Sequence, residues 1–241
     1  MFCGKIQLYC YMIIFIAFLP LNLFANTDSG ITAITIPSAD ITLSFLQSGR
    51  IDQIHVKEGD KVETHTILVQ QYDAAEAAYL AQKRVDLKRL ESAQKRGAAT
   101  DLEVEHAKLE VQIAEIRVDN MKLKSPIDGF VEKLEVEVGE SIQALVDVIR
   151  IVKIDPLWVD VYVPQDKARD LKVDDNALVN FSEPDKTTLT GKIIFVSRAA
   201  DAASDTRRVR IEMPNTTGRP SGEHVLVSFN GIGEIKNENK K

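Results

Sequence analysis

The sequence predicts a mainly β fold with one α-helical hairpin: a β-sandwich split into two halves by the hairpin, followed by a small β-barrel. Three observations carry this. The stretch GRIDQIHVKEGDKV, Gly49 to Val62, returns without a gap as GFVEKLEVEVGESI, Gly129 to Ile142. Both glycines match, and Ile51, Ile54, Val56 and Val62 are answered by Val131, Leu134, Val136 and Ile142. Between the copies, Asp73 to Lys124 turns to Ala, Leu, Glu, Lys, Gln and Arg, with no proline and a single glycine, Gly97. After Asp155-Pro156, short alternating apolar runs resume. Solenoids need three or more units to bury a core, so two copies around an unlike segment read as two halves of one domain.

In chain order, residues 1–25 read as an export signal or an uncleaved N-terminal anchor. Lys5 supplies the positive end, Ile6 to Phe24 is almost all apolar, and Leu23-Phe24-Ala25 offers a small residue before a cut near Asn26. Leu23 is large for its place, and the run approaches the ~18 residues that can span a bilayer. Either way the bulk of the chain lies outside the cytoplasm. Cys3 and Cys10 both fall in this segment, so the mature domain has no disulfide, thiolate zinc site or cysteine nucleophile.

Residues 26–40 contain the alternation Ile31 to Ile36, one strand ending at Pro37, which would close the barrel. The first sandwich half, 41–72, carries strands at Ile41–Phe45, Ile51–Val56, Lys61–Val62 and Ile67–Gln70, with turns at Ser48-Gly49 and Glu58-Gly59-Asp60 where glycine accepts a positive φ. The second half, 125–153, repeats this with Gly129 and Gly139 as its turn glycines. Residues 73–124 are two helices of about 23 residues, each roughly 35 Å long. Gly97 ends the first, and Thr100 with Glu103 forms a capping box for the second, placing the tip at Arg96 to Asp101.

The second helix carries two apolar stripes on nearly opposite sides. Leu102, Leu109, Ile116 and Leu123, with Ile113, make one; Val104, Ala107, Val111, Ala114, Val118 and Met121 make the other. One must hold the partner helix. The other is either part of a broader buried face or a surface for another protein. Residues 154–230 supply the barrel strands Leu157–Val163, Ala177–Phe181, Thr187–Val196, Arg207–Met213 and Val225–Phe229, with a short helix from Pro164 to Leu171. Residues 231–241 form a polar tail.

Chemistry is sparse. His55, His65, His106 and His224 are scattered, and beyond the leader only Met121 and Met213 remain as soft ligands. There is no phosphate loop, nucleophile elbow or dinucleotide fingerprint. No catalytic, metal or cofactor residues are assigned and an enzyme is disfavoured, although triad members need not be adjacent in sequence. A net charge of −6 argues against nucleic acid as a partner.

Ser125-Pro126-Ile127-Asp128-Gly129-Phe130-Val131, followed by Val138-Gly139-Glu140-Ser141-Ile142, resembles the biotinyl/lipoyl domain, whose quasi-symmetric halves meet at a hairpin turn. In carrier members a lysine in that turn bears the cofactor. Here the helical hairpin replaces the turn, and Lys122 and Lys124 read as solvated charges at a helix end. A lipoyl-like domain split by a helical hairpin, then a β-barrel, behind an export signal, resembles the periplasmic adaptor (membrane fusion) family of tripartite efflux pumps. The resemblance runs from about Ile41 to Phe229. It is carried by Gly49-Arg50-Ile51 through Glu58-Gly59-Asp60-Lys61-Val62, Ser125 to Gly129, Ile154-Asp155-Pro156-Leu157-Trp158-Val159, and Asp205-Thr206-Arg207.

The resemblance implies a non-enzymatic, cofactor-free protein of the Gram-negative periplasm, associated with the inner membrane. It would link an inner-membrane efflux transporter, first of the resistance-nodulation-division class, to an outer-membrane channel. Its assembly would be a homo-oligomeric ring, a hexamer or trimer of dimers, with the hairpin tips meeting the channel. Tips in efflux adaptors commonly show an arginine, a leucine four residues on and a serine seven further. The matching positions are Arg89, Ala93 and Thr100, beside Arg96, Gly97 and Ala98 at the turn. Ala93 lacks the leucine's bulk, a departure from the family pattern that bears on docking strength or channel identity. A purely structural reading also stands, in which Thr100 caps a helix and Arg89 is solvated. Pro220-Ser221-Gly222-Glu223-His224 replaces the family's usual Pro-Gly-Met turn, and no membrane-proximal domain is expected after Phe229. Alternatives are an adaptor of an ABC-type or type I secretion exporter, an exported carrier with a modified lysine, and a free coiled-coil scaffold.

Overall fold

Two long strands run through both β regions of the computed structural model, which describes residues 30–182 and 186–229. The expected leader, 1–25, and the polar tail, 231–241, lie outside the described residues. β1 (Ile31–Ser44) pairs antiparallel with β8 (Asp147–Pro164) from Ile34↔Asp160 to Ser44↔Asp147. The expected strand end at Pro37 and the expected break at Asp155-Pro156 are therefore corrected. The ladder shifts register between Pro37↔Leu157 and Ala39↔Lys153, so both prolines border one irregularity. A missing proline N–H costs little where no ladder bond is formed. Ser38 Oγ donates to the Lys153 carbonyl there, 3.1 Å away.

On one side of this irregularity lies a closed six-stranded barrel. Its remaining strands are β9 (Asn176–Phe181), β10 (Thr188–Val196), β11 (Thr206–Met213) and β12 (His224–Phe229). The order is β1-β12-β9-β10-β11-β8, and β8 returns to β1, so no edge is left open. Alternate residues point inward: Leu157, Val159 and Val161 of β8 stand opposite Met213, Ile211 and Val209 of β11, all fully buried. The short helix expected after Pro164 is one turn, Gln165–Ala168, with Ala168 buried in the barrel core.

On the other side lies the sandwich: β2 (Gly49–Ile54), β3 (Lys61–Val62), β4 (Ile67–Gln71), β5 (Lys122–Lys124), β6 (Gly129–Leu134) and β7 (Ser141–Ile142). Each half lends strands to the other: β2 pairs with β7 and β3 with β6. Ile51 N donates to the Glu140 carbonyl at 2.8 Å, and its image Val131 N donates to Asp60 at 2.9 Å. The images extend past the repeated stretch. Thr64 N donates to Asp128 Oδ1 at 2.7 Å, and Ala144 N to Ser48 Oγ at 3.2 Å. His65 and Leu145 both stand at positive φ, 70° and 63°, and donate to Ser125 and Phe45 respectively.

The four repeat glycines do two different jobs. Gly59 and Gly139 take φ of 88° and 90° in open turns, conformations that a Cβ disfavours. Gly49 and Gly129 instead open strands β2 and β6 and are absent from the positive-φ positions, so the expected turn at Ser48-Gly49 is corrected. Their reason is close approach. A Cβ on Gly129 would stand 2.5 Å from the Val152 carbonyl oxygen, and one on Gly49 would stand 2.8 Å from the Gln71 side chain.

Between β4 and β5 the chain leaves the sandwich as α1 (Ala74–Gln94) and returns as α2 (Asp101–Asn120). The second helix is shorter than expected because Lys122–Lys124 is a strand on β4, with Leu123 packed on the sandwich core. Lys122 and Lys124 thus stand on a strand and not at a helix end, and sheet pairing overrides the helical preference of Lys-Leu-Lys. Among the described residues no helix is long and apolar enough to cross a membrane.

Candidate functional site

The hairpin turn is held by its own backbone. Gly97 sits at φ 73°, its N–H donating to Gln94 at 2.8 Å, while Arg96 and Ala98 both donate to the Ala93 carbonyl. Across the turn, Gln94 Nε2 donates to Asp101 Oδ1 at 2.7 Å. Thr100 caps α2 with extended backbone: its hydroxyl oxygen accepts from Glu103 N, and the Glu103 carboxylate accepts from Thr100 N at 2.7 Å. The N–H of Thr100 and then its hydroxyl hold the Glu103 carboxyl below its ordinary value. The capping box read from the sequence is formed.

Arg96, Gly97, Ala98 and Thr100 are exposed together at the turn, and Arg89 lies lower on α1. Arg89 is 78% exposed and stands 3.8 Å from Asp86, a solvated pair of little energetic weight. Ala93 is half-buried, and its carbonyl is spent on the turn. The Thr100 hydroxyl is engaged with Glu103 and offers a partner less than a free hydroxyl would.

The stripes separate cleanly. Val104, Ala107, Val111 and Ala114 are buried, and Leu80 and Leu87 of α1 pack with Val111 and Ala114. Leu102, Leu109, Ile113 and Ile116 face away, 79%, 51%, 51% and 53% exposed. Leu123, expected to extend this stripe, belongs to β5. A signal for the choice was present: Ala107 and Ala114, seven apart, are small enough to let two helices approach closely, whereas the outward stripe is all large side chains.

Ion pairs flank the hairpin seam. Lys83 meets Glu110 at 2.9 Å, raising the lysine and lowering the glutamate, and Arg84 meets Glu115 at 2.7 Å. Tyr79 lies beneath Lys83 and Arg117, at 5.3 and 5.6 Å from its ring centre.

Two further exposed apolar groups had no signal in the sequence. Leu46, Leu145 and Val146 are exposed on the sandwich, where the image positions are Pro126, His65 and Thr66. The pseudo-symmetry therefore breaks in chemistry at one place on the surface. On the barrel, Tyr162 and Phe195 are exposed beside Arg208, which stacks over Phe195 at 5.3 Å. Arg210 stacks over Trp158 at 4.6 Å while its guanidinium forks onto Asp160 at 2.7 and 2.8 Å. Among the described residues no group of His, Cys, Asp and Glu is placed to hold a metal ion.

Residues 156–227 match the CusB-like β-barrel domain family. An uncharacterized protein of Haemophilus influenzae is 22% identical, over 85% of this chain and 62% of its own length. The chain thus spans less than two thirds of that curated relative. Among solved structures, a MacA-MexA chimeric protein containing the Pseudomonas aeruginosa MexA α-hairpin domain aligns at TM-score 0.66 and 19% identity, over 82% of this chain and 78% of that one. The membrane fusion protein Spr0693 from Streptococcus pneumoniae R6 aligns at 0.57 and 18%, over 83% and 97%. ZneB from Cupriavidus metallidurans aligns at 0.55 and 20%, over 83% and 69%.

Proposed function

We propose that this chain, whose fold is that of the membrane fusion (periplasmic adaptor) proteins, links an inner-membrane efflux transporter to an outer-membrane channel. The observation that carries the reading is the hairpin: it presents an exposed turn and, on α2, a row of large apolar side chains that are exposed among the described residues. An isolated pair of helices gains nothing from such a row in water, and rows of this kind mark protein contacts. The barrel match at 156–227 and the shared fold support the same conclusion.

On this reading the protein works in the periplasm at the inner membrane, as one stave of a ring, with Arg89, Ala93, Arg96, Gly97, Ala98 and Thr100 at the channel end. Its work is interfacial and non-enzymatic, with energy supplied by the transporter. The resistance-nodulation-division class is the first transporter to test, and an ABC-type or type I secretion exporter is the alternative. A carrier role fits poorly, because Lys122 and Lys124 are strand residues and Lys124 is paired with Asp119.

The test is photocrosslinking in intact cells from Ala98, with Lys172 of the barrel as control, followed by mass identification of the adduct. Capture of an outer-membrane channel from Ala98 and not from Lys172 is expected. Adducts only to itself, or none from a well-expressed protein, would sink the channel-docking reading.

A further inference from the structure

We infer that Gln71, acting through Gln47 and Met121, is a positioning residue that sets the direction in which the hairpin leaves the sandwich. For its purpose the inference rests on the adaptor reading, which needs the tip held in one place; its geometry stands apart from that reading.

Pseudo-symmetry isolates the feature. The two halves agree in ladder register as well as in sequence: Ile51↔Gln71 and Gln70↔Lys122 on one side repeat as Val131↔Ile151 and Arg150↔Thr42 on the other. The images of Gln47, Gln71 and Met121 are then Ile127, Ile151 and Ile41. Ile151 is fully buried in the sandwich core, and Ile41 and Ile127 pack against that core. Three isoleucines thus fill, in one half, the places that two amides and a thioether take in the other.

The sandwich itself accepts an apolar side chain here. Gln71 is as fully buried as Ile151, and Gly49 makes room for its amide as Gly129 makes room for Ile151 Cγ2. A buried amide is unfavourable unless its hydrogen bonds are met. Gln71 Nε2 donates to the Gln47 carbonyl at 3.2 Å, while Oε1 accepts from no group among the described residues. A side chain that the core does not need, and that is only half satisfied, has its reason outside the core.

What differs between the two places is what is attached. At the isoleucine end β1 and β8 run on toward the barrel as a paired ladder, Asp40↔Val152 and Ala39↔Lys153 following Ile41↔Ile151. At the glutamine end the pairing of β4 with β5 stops. Gln71 N donates to the Met121 carbonyl at 2.9 Å, and both chains then turn into the hairpin. The hairpin cluster of Leu80, Val111 and Ala114 has no residue in common with the sandwich core, and Met121, though buried, belongs to neither. Its Sδ accepts from Gln47 Nε2 at 3.3 Å. Gln47 therefore holds both hairpin strands at their roots, Gln71 by its carbonyl and Met121 by its amide. Beside it the Arg50 carbonyl accepts from Tyr72 N at 2.9 Å, and its guanidinium lies over the Tyr72 ring at 4.9 Å. Apolar contact has no direction, whereas a hydrogen bond weakens steeply as it bends. A root made of amide bonds fixes an angle that isoleucines would leave free.

The experiment uses the full chain with Cys3→Ser and Cys10→Ser. Spin labels are placed at Ala98→Cys on the tip and Val138→Cys on the sandwich, and the labelled chain is diluted with unlabelled chain so that only distances within one copy are read. Pulsed dipolar spectroscopy should give this parent one narrow distance. Gln71→Ile, which copies the other half, should lose the narrow distance yet unfold in urea no earlier than the parent. Gln47→Ala, which leaves Gln71 in place, should widen the distribution in the same way, and the double variant should widen it no further, because the two act as one unit. Channel capture from Ala98 should fall in Gln71→Ile.

Earlier unfolding of Gln71→Ile would overturn the inference, since a core residue would then be all that Gln71 is. A narrow distance kept by both single variants would also overturn it. Undiminished capture despite a widened distance would overturn the role in docking. Widening in a chain whose parent captures no channel would retain the positioning role and remove the adaptor reading.

Discussion

Gly49 and Gly129 hold the same place in the two sandwich halves, yet alanine at the two positions should cost different amounts. At Gly129 the new Cβ would stand 2.5 Å from the Val152 carbonyl oxygen and 3.1 Å from Ile151 Cγ2. The nearest obstacle is backbone, and Val152 is the ladder partner of Phe130, so relief requires β6 and β8 to separate. Overpacking costs about 1–3 kcal/mol, and a rigid obstacle belongs at the top of that range. Loss of unfolded-chain freedom returns about 0.4–1 kcal/mol, leaving roughly 2–2.6. At Gly49 the three nearest atoms are the amide end of Gln71, 2.8–2.9 Å away. That end can rotate, giving up one hydrogen bond to the Gln47 carbonyl worth about 1 kcal/mol, while Gln71 Oε1 already lacks a partner. The net cost there should be about 1 kcal/mol or less. The difference of about 2 kcal/mol corresponds to roughly 4–8 °C in Tm for a chain of this size. Scanning calorimetry of the two alanine variants, with urea m-values to confirm an unchanged unfolding unit, reads it directly. Adding Gln71→Ala should relieve Gly49→Ala and leave Gly129→Ala unaltered. Equal destabilisation of the two single variants would refute the argument from close approach.

The turn glycines behave differently, since nothing lies near a Cβ at Gly59 or Gly139: alanine at either should cost about 1–2 kcal/mol through the left-handed backbone alone, equally at both, as urea melts would show. Thr100→Ala removes the hydroxyl cap of α2 and should cost about 1 kcal/mol, measured as earlier loss of the 222 nm signal on heating. The Glu103 carboxyl is held below its ordinary value of 4.5 in the folded chain, so its contribution is complete above that pH and is lost as pH falls through the lower folded value. Thr100→Ala should therefore flatten the acid limb of hairpin melting between those two values; an unaltered limb counts against the cap. Leu80→Ala, in the small hairpin core, should cost about 2–5 kcal/mol, whereas Leu109→Ala in the monomer should stay within about 0.5, and equal losses would show that the stripe assignment is inverted.

Much of this architecture was legible because its signals are local. Period-two alternation marks Leu157–Val163 and Val225–Phe229, glycine marks the turns at Gly59 and Gly139, and Thr100 with Glu103 announces the start of α2 within four residues. The repeat could be read because both halves answer to the same packing. What failed locally were the statements that depend on a distant partner. Pro37 looks like a strand end, but the ladder that carries β1 past it is supplied by β8, more than a hundred residues away. Lys122–Lys124 looks helical until β4 claims it. Gly49 and Gly129 look like turn residues until Gln71 and Val152 are in place.

The candidate site divides the same way. The tip was found from Gly97 and the cap, both short-range. Which of two apolar stripes on α2 faces outward was marked only by the small size of Ala107 and Ala114, because periodicity states that a helix has a face and never in which direction it points. That direction is chosen by the helix packed against it, and Leu80 of α1 takes the stripe whose alanines allow close approach. By itself the sequence determined where elements begin and end wherever neighbours in the chain supply the bonds. Tertiary structure decided every orientation, because burial is a property of pairs of surfaces and one surface of each pair lies far along the chain.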